Sequence, residues 1–176
     1  MTRPRILIAG IGNIFLGDDA FGVEVARRLS RQELPNEVKV VDFGIRGLDL
    51  AYSLLDGHDA VILVDAAPRG GPAGTLYVLE LSPPDNAHAE GRDGISIDTH
   101  NLDPAKVLRM VSMMGGKLDR ILLVGCEPSP LGESEEMRLA MSEPVRAAVD
   151  QAIPLIMSLT NRLLTGGEIE TSEDDS

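Results

Sequence analysis

The sequence predicts a single α/β domain, a three-layer sandwich in which a mostly parallel, mixed sheet is flanked by helices. Short apolar runs end in glycine or aspartate, which is typical of strands buried on both faces of a parallel sheet. These runs are Arg5–Gly10, Val38–Asp42, Ala60–Asp65 and Ile121–Gly125. Segments with apolar residues at helical spacing alternate with the runs, and such alternation is typical of α/β proteins.

The predicted helices each carry their apolar residues on one face. The first of these segments follows Asp18 and Asp19, and the second is Leu48–Leu55. The third begins at Asp103–Pro104 and stops at Gly115–Gly116, and the fourth is Ser142–Leu164. Pro154 is expected to kink or split the last helix, because proline removes a backbone donor. Gly74–Leu81 reads as a strand after a short turn, which predicts an antiparallel partner and therefore a mixed sheet.

The length of 176 residues favours one domain, and neither an internal repeat nor a separating linker is visible. We assign residues 1–166 to the α/β domain. The last ten residues, 167–176, are polar and acidic, with Ile169 as their one apolar residue. This composition predicts a disordered tail, because such a segment buries too little apolar surface to offset its ordering entropy.

The charge excludes some classes of partner. The formal net charge is −12 and no basic cluster is visible, so neither nucleic acid nor an anionic membrane is an expected partner. No apolar run approaches the length of a membrane span, and no signal peptide is visible, so a cytoplasmic location is expected. The expected oligomeric state is a monomer. The single cysteine, Cys126, excludes a disulfide framework and reads as a buried small hydrophobe.

Three polar groups fall at the carboxyl ends of predicted strands or just before a helix, where α/β proteins form their sites. Asp18 and Asp19 follow a glycine-rich turn, Asp65 ends the most apolar strand, and His100 precedes the helix start at Asp103. Phosphate-binding fingerprints do not match the turn, because Phe15 stands where a dinucleotide motif needs glycine.

Taken singly, these residues are compatible with a helix cap, a loop cap and a surface or core histidine. Together they offer an oxygen, oxygen and nitrogen set with open positions, which suits a borderline divalent ion such as Zn²⁺ or Ni²⁺. The other histidines, His58 and His88, lie in a turn and in the polar segment 82–97, and we expect both to be exposed to solvent.

The sequence resembles the hydrogenase maturation proteases, endopeptidases that trim the C-terminal extension from the large-subunit precursor of nickel–iron hydrogenases. The matching segments are Ile6–Gly22, Asp42–Gly47, Val64–Ala66, His100 ahead of its helix and Leu123–Pro128. The resemblance implies a mixed sheet flanked by helices. It implies metal binding by Asp19, Asp65 and His100, with Asp19 and Asp65 also the candidates for a catalytic carboxylate of an aspartic-type protease. It further implies substrate recognition by Asp42, and nickel that arrives with the precursor rather than with an organic cofactor.

Two other classes of protein stay open at the level of sequence. A signalling receiver domain also has an acidic pair after its first strand and an aspartate after a middle strand. It needs a lysine after the last strand, whereas Gly125–Pro128 contains none. A noncatalytic nickel carrier could use the same three ligands.

Overall fold

The computed structural model describes residues 2–82, 102–130 and 139–172. Within these residues five strands form one sheet: β1 (Ile6–Ile11), β2 (Val38–Gly44), β3 (Ala60–Ala66), β4 (Leu76–Leu81) and β5 (Ile121–Cys126). The helices are α1 (Phe21–Leu29), α2 (Gly47–Leu55), α3 (Pro104–Met113) and α4 (Glu143–Thr165), and a 3₁₀ turn, Gly17–Ala20, precedes α1. None of the described helices is long and apolar enough to cross a membrane.

The sheet has the order β2-β1-β3-β5-β4. Its first four strands are parallel, and β4 runs antiparallel to β5, with Val78 opposite Val124. The predicted mixed α/β sheet is therefore confirmed. The short connection after β3 allows β4 only to turn back, and β4 becomes an edge strand.

Two apolar layers cover the sheet, one on each face. On β1, Ile6 and Ile8 pack with α1 and α4, while Leu7 and Ala9 pack with α2 and α3. Every residue of β1 is buried, because the side chains alternate between two covered faces. This explains why the strand is a continuous apolar run rather than an alternating one.

Glycines allow α1 to approach the backbone of the sheet. A Cβ atom on Gly22 would lie 2.0 Å from the carbonyl oxygen of Val64 and 2.3 Å from that of Ile11. A Cβ atom on Gly12 would lie 1.8 Å from the carbonyl oxygen of Asp19, and the φ angle of Gly12 is 147°. Since no side chain fits at these positions, the glycines bring the start of α1 against the carboxyl ends of β1 and β3.

Helix α4 is continuous through Pro154, so of the two expected outcomes, a kink or a split, the split does not occur. The buried stripe of the helix runs on both sides of the proline, with Ala152 and Ile156 fully buried in the core. Packing of this stripe against the sheet outweighs the single backbone hydrogen bond that proline removes. Gly166, with a φ angle of 74°, ends the helix in a left-handed cap.

The described part of the acidic tail contacts the domain. The backbone N–H of Ser172 donates to the Val78 carbonyl (2.7 Å), and the Val78 N–H donates to Ser172 Oγ (3.0 Å). Ile169 packs against the core between the sheet, α1 and α4. The sequence predicts a tail that is detached from Gly167 onward, whereas Ile169 and Ser172 contact the domain. The contact of Ser172 is possible because β4 is an edge strand, whose backbone groups can pair with a further segment. The boundary at residue 166 stays a prediction.

Candidate functional site

Asp19 lies in the 3₁₀ turn between β1 and α1. Its Oδ2 accepts a hydrogen bond from the Asn13 N–H at 2.8 Å, so the carboxylate closes the loop that follows β1. The group is half-buried, and burial raises its pKa, while the Asn13 hydrogen bond opposes the rise. Asp19 is not a cap of α1, because no side-chain hydrogen bond caps that helix.

Asp65 lies near the end of β3, opposite Gly125 of β5 and one residue beyond Val64, which pairs with Gly10 of β1. Burial raises the pKa of its carboxyl group to about 8, and the negative charges of Asp19 and Asp103 contribute to this rise, whereas a hydrogen bond from the Ala66 backbone opposes it. The structure therefore brings Asp19 and Asp65 into electrostatic contact. No described cation forms an ion pair with either carboxylate.

Asp103 brings the start of α3 toward the same edge of the sheet. Its side chain caps α3 by accepting from the Ala105 N–H at 3.0 Å, and its charge acts on Asp65. The predicted third ligand, His100, stands three residues earlier in the chain and lies outside the described residues. Within residues 2–82, 102–130 and 139–172, no three acidic, histidine or cysteine side chains form a group that could hold a metal ion.

The predicted recognition residue Asp42 lies at the carboxyl end of β2, paired in register with Gly10. Its Oδ2 is 3.3 Å from Nε of Arg27 on α1, and its carbonyl oxygen accepts a hydrogen bond from Arg46. Asp42 therefore lies at the same edge of the sheet as Asp19 and Asp65, and the charge of Arg27 compensates its own. Its role in substrate recognition stays a prediction.

Asp18, which precedes Asp19 in the same 3₁₀ turn, holds distant parts of the chain together. Its carboxylate accepts from the Ser129 N–H (2.8 Å), the Ser142 N–H (2.7 Å) and the Ser142 hydroxyl (3.0 Å). These bonds tie the loop after β5 and the N-terminus of α4 to the turn that carries Asp19. The two aspartates thus have different surroundings: among the described residues, Asp18 has three donors and Asp19 has one.

Comparisons with known proteins show the family to which the chain belongs. A family model described as hydrogenase maturation protease matches residues 23–159. The hydrogenase expression/formation protein HupD of Rhizobium leguminosarum is 32% identical over 151 residues, covering 85% of this chain and 71% of HupD. The chain belongs to the hydrogenase maturation protease family.

Solved structures of this family share the fold. The hydrogenase maturating endopeptidase HybD from Escherichia coli superposes with a TM-score of 0.67 at 26% identity, covering 90% of this chain and 93% of HybD. A hydrogenase 2 maturation peptidase from a Thaumarchaeota archaeon gives a TM-score of 0.64 at 31% identity, covering 89% of this chain and 98% of its own. The predicted family and its proteolytic activity are therefore confirmed.

Family membership sets the receiver domain and the noncatalytic carrier aside, and the structure gives a physical reason against the receiver. The doubly wound sheet of a receiver domain has the all-parallel order 2-1-3-4-5, whereas β4, an outermost strand of this sheet, is antiparallel to its neighbour β5. The position of the receiver lysine is near Glu127, which is 5% exposed and accepts from the N–H groups of Arg69 (2.7 Å) and Gly70 (3.1 Å). This carboxylate holds the loop after β3.

Sequence reasoning missed the structural roles of Glu127 and Asp18, because their partners are far away along the chain. Glu127 acts together with Tyr77, whose hydroxyl donates to the Ala67 carbonyl at 2.6 Å and whose ring lies under the Arg69 guanidinium at 4.8 Å. Burial and the charge of Glu127 raise the pKa of Tyr77 to about 12. The signal available in the sequence was a charged residue directly after an apolar strand.

The expectation that His58 is exposed is wrong, because its side chain is 8% exposed. Burial and the charge of Arg5 lower its pKa, and its Nδ1 has no hydrogen-bond partner in the described part of the chain. His58 precedes β3, at the end of the strand opposite to Asp65. It therefore stands apart from the site. Cys126 is buried as predicted, and burial and the charge of Asp18 raise the pKa of its thiol to about 12.

Proposed function

We propose that this protease removes the C-terminal extension of a nickel–iron hydrogenase large-subunit precursor after nickel has been inserted. In this proposal Asp19, Asp65 and His100 bind the nickel ion that the precursor carries. The observation that carries the proposal is the pair Asp19 and Asp65, two half-buried carboxyl groups with raised pKa values. Asp19 lies in the turn after β1, and Asp65 lies near the end of the neighbouring strand β3. Two acidic groups without a described counterion are a place where a divalent cation is favourable.

The donor set agrees with nickel held by the substrate. Two carboxylate oxygens and an imidazole nitrogen are suitable ligands for a borderline divalent ion and leave coordination positions open. Such a site holds a free ion more weakly than a complete site. A nickel ion already bound in a precursor gains from protein contacts at the same time, since linked binding events act at high effective concentration. The loaded precursor is therefore the preferred substrate.

The carboxylates can also serve the hydrolysis itself. Water adds to the carbonyl carbon of the scissile peptide, the C–N bond breaks, and a proton moves from the water to the departing nitrogen. Asp19 or Asp65 accepts this proton and passes it on as a general base and then a general acid. Nickel fixed in the precursor holds the scissile segment against the two groups, which supplies the proximity that the reaction requires.

Cleavage by site variants tests this proposal. Wild-type protein and the variants Asp19→Asn, Asp65→Asn and His100→Ala are incubated with nickel-loaded and nickel-free precursor, and mass spectrometry of the precursor C-terminus measures cleavage. We expect the wild type to cleave only the loaded form, and each variant to lose at least about 100-fold in rate. The control is Asp49→Asn, because Asp49 is exposed on α2 and its ion pair with Arg46 contributes little.

The source of the metal is tested by stripping the protease with a chelator that is then removed. The stripped protease is expected to cleave the loaded precursor at the untreated rate. Equal cleavage of nickel-free precursor, or a stoichiometric metal that stays in the protease, contradicts the proposal. Nickel binding by the wild type without cleavage of any precursor would identify a carrier instead.

Asp42 is proposed to recognise the substrate. It lies at the same sheet edge as the acidic pair but outside the proposed ligand set. Asp42→Asn is therefore expected to raise KM for the loaded precursor severalfold while kcat stays within about twofold, since contacts outside the reacting atoms contribute uniform binding. A loss of kcat at unchanged KM would contradict this role.

A further inference from the structure

Three consecutive apolar side chains stand in solvent beside the site. The exposed fractions of Ile14, Phe15 and Leu16 are 44%, 70% and 49%. Single exposed apolar residues are ordinary on a protein surface, whereas a contiguous exposed run is unfavourable unless it binds something. We refer to these three residues as the apolar turn.

The apolar turn has a fixed backbone. The Phe15 N–H donates to Asn13 Oδ1 (2.9 Å), and the Leu16 N–H donates to the Asn13 carbonyl (3.1 Å). The Asp19 N–H in turn donates to the Leu16 carbonyl (3.1 Å). Because these bonds order the turn before any partner arrives, its side chains lose little backbone entropy on binding.

The apolar turn is continuous with the acidic pair. The Asn13 N–H that begins the turn donates to Asp19 Oδ2 at 2.8 Å, so one carboxylate of the proposed nickel site is bonded to the same turn. A chain that lies across Phe15 is therefore within a few residues' length of Asp19.

The charges limit what can occupy this surface. The segment from Ile6 to Ala26 contains no lysine or arginine, and Asp18 and Asp19 follow the turn directly. A phosphate-rich or otherwise anionic partner is therefore unfavourable. A second copy of this chain is also unfavourable, since each copy has a net charge of −12 and like charges repel. An apolar peptide segment of another protein, without acidic residues, fits this surface best.

We propose that the apolar turn is the docking surface for an apolar segment of the hydrogenase precursor close to the cleaved bond, with Phe15 as its anchor. This inference rests on the proposed function. It assigns Phe15 a part in substrate binding that is separate from the chemistry at Asp19 and Asp65.

The test compares Phe15→Ser with Met114→Ser in the full chain. Met114 is the control because it is also an exposed apolar residue (51%) but lies away from the site. It follows the C-terminal end of α3, whereas the N-terminal end of this helix, with Asp103, is the end whose charge acts on Asp65. Binding of nickel-loaded precursor is measured by calorimetry, and cleavage kinetics by mass spectrometry. Melting temperature verifies folding, and Leu16→Ser serves if Phe15→Ser does not fold.

We expect Phe15→Ser to weaken precursor binding and raise KM about tenfold or more, as loss of an aromatic anchor does, while kcat stays within about twofold. Phe15→Leu should restore most of the affinity, and Met114→Ser should match the wild type. Unchanged KM and affinity in Phe15→Ser overturn the inference, as does a wild-type dimer that Phe15→Ser dissociates. A wild type that binds the precursor through Phe15 but cleaves nothing overturns the proposed function and leaves the docking surface standing.

Discussion

At the scale of single residues, the two carboxylates of the site carry an electrostatic cost. Burial and neighbouring negative charge raise the pKa of Asp65 to about 8, so the folded protein disfavours the charged form that a metal ligand requires. Binding of a cation must therefore release a proton. A divalent cation bound to Asp65, as proposed above, would remove this electrostatic cost.

Asp65→Asn is expected to stabilise the metal-free protein at alkaline pH. The folded-state pKa of about 8 lies above the ordinary value of 3.8, so between these pH values the folded protein binds more protons than the unfolded chain. The stabilisation from this proton is complete below the ordinary value and is lost as the pH rises through about 8. Asparagine has no acidic proton and stays neutral, so the variant should be more stable than the wild type at pH 9.

Melting temperature as a function of pH checks this prediction. At pH 9 the variant should exceed the wild type by at least about 2–4 °C, which corresponds to about 1 kcal/mol in a domain of this size. At pH 4 the two should coincide, and the exposed variant Asp49→Asn should show no such gain. A variant that melts below the wild type at pH 9 would show that Asp65 is not an uncompensated charge.

Asp18→Asn is expected to destabilise the fold without a change in the charge of Asp19. All three donors to Asp18 point at carboxylate oxygens, so an amide NH₂ in either orientation faces a backbone N–H. Loss of charge-assisted hydrogen bonds costs about 1.5–3 kcal/mol, a fall of roughly 3–12 °C in melting temperature. Ser142→Ala keeps both backbone donors and should cost less than half as much. Equal melting of Asp18→Asn and wild type would contradict a tethering role.

At the scale of elements, the contact between α1 and the sheet depends on the absence of side chains. Gly22 lies against the carbonyl oxygens of both β1 and β3, with no space for a methyl group. This contact presses the turn that carries Asp19 toward the end of β3 that carries Asp65. The same feature thus serves both packing and the geometry of the site.

Gly22→Ala is expected to lower both stability and activity. Its Cβ would meet the Val64 carbonyl at 2.0 Å, so α1 must move away from β3. We expect a loss of about 1–3 kcal/mol, as for other overpacked sites, measured by urea unfolding, together with a reduced cleavage rate. Gly71→Ala is the matched control, because a Cβ there has no neighbour within 4 Å. Equal stability of the two variants would show that α1 adapts without cost.

At the scale of the whole molecule, the chain beyond α4 returns to the sheet edge. Ser172 exchanges two hydrogen bonds with Val78 of β4, and Ile169 covers part of the core. Among the described strands, β4 pairs with β5 alone, so these bonds cover backbone groups on its other side that could pair with another chain.

Two truncations separate the contribution of this segment. Removal of residues 167–176 is expected to lower the melting temperature by roughly 2–8 °C, since two hydrogen bonds and the burial of Ile169 together contribute about 1–2 kcal/mol. Removal of residues 173–176 alone keeps these contacts and should leave it unchanged. Cleavage activity should survive both truncations, because the segment contacts the edge strand rather than the acidic pair. An unchanged melting temperature in the longer truncation would restore the picture of a detached tail.

The sequence by itself determined the α/β class, the order of the elements and the family, and it predicted that Asp19 and Asp65 lie at the carboxyl edge of the sheet. These features are local: apolar runs buried on both faces mark parallel strands, and the carboxyl ends of such strands fall at one edge. Asp65 could be chosen because a charge that ends a fully apolar strand lies at the edge of the sheet, where α/β proteins form their sites.

The tertiary structure decided that Asp18 is tied to Ser129 and Ser142, that Glu127 holds the loop after β3, that His58 is buried and that Ser172 meets β4. Each of these depends on groups remote along the chain, such as Asp18 with Ser142, which are 124 residues apart. The raised pKa of Asp65 belongs here too, because desolvation and the field of Asp19 exist only once the chain is folded. Sequence patterns report the burial of elements, whereas hydrogen-bond partners and local electrostatics are fixed through space.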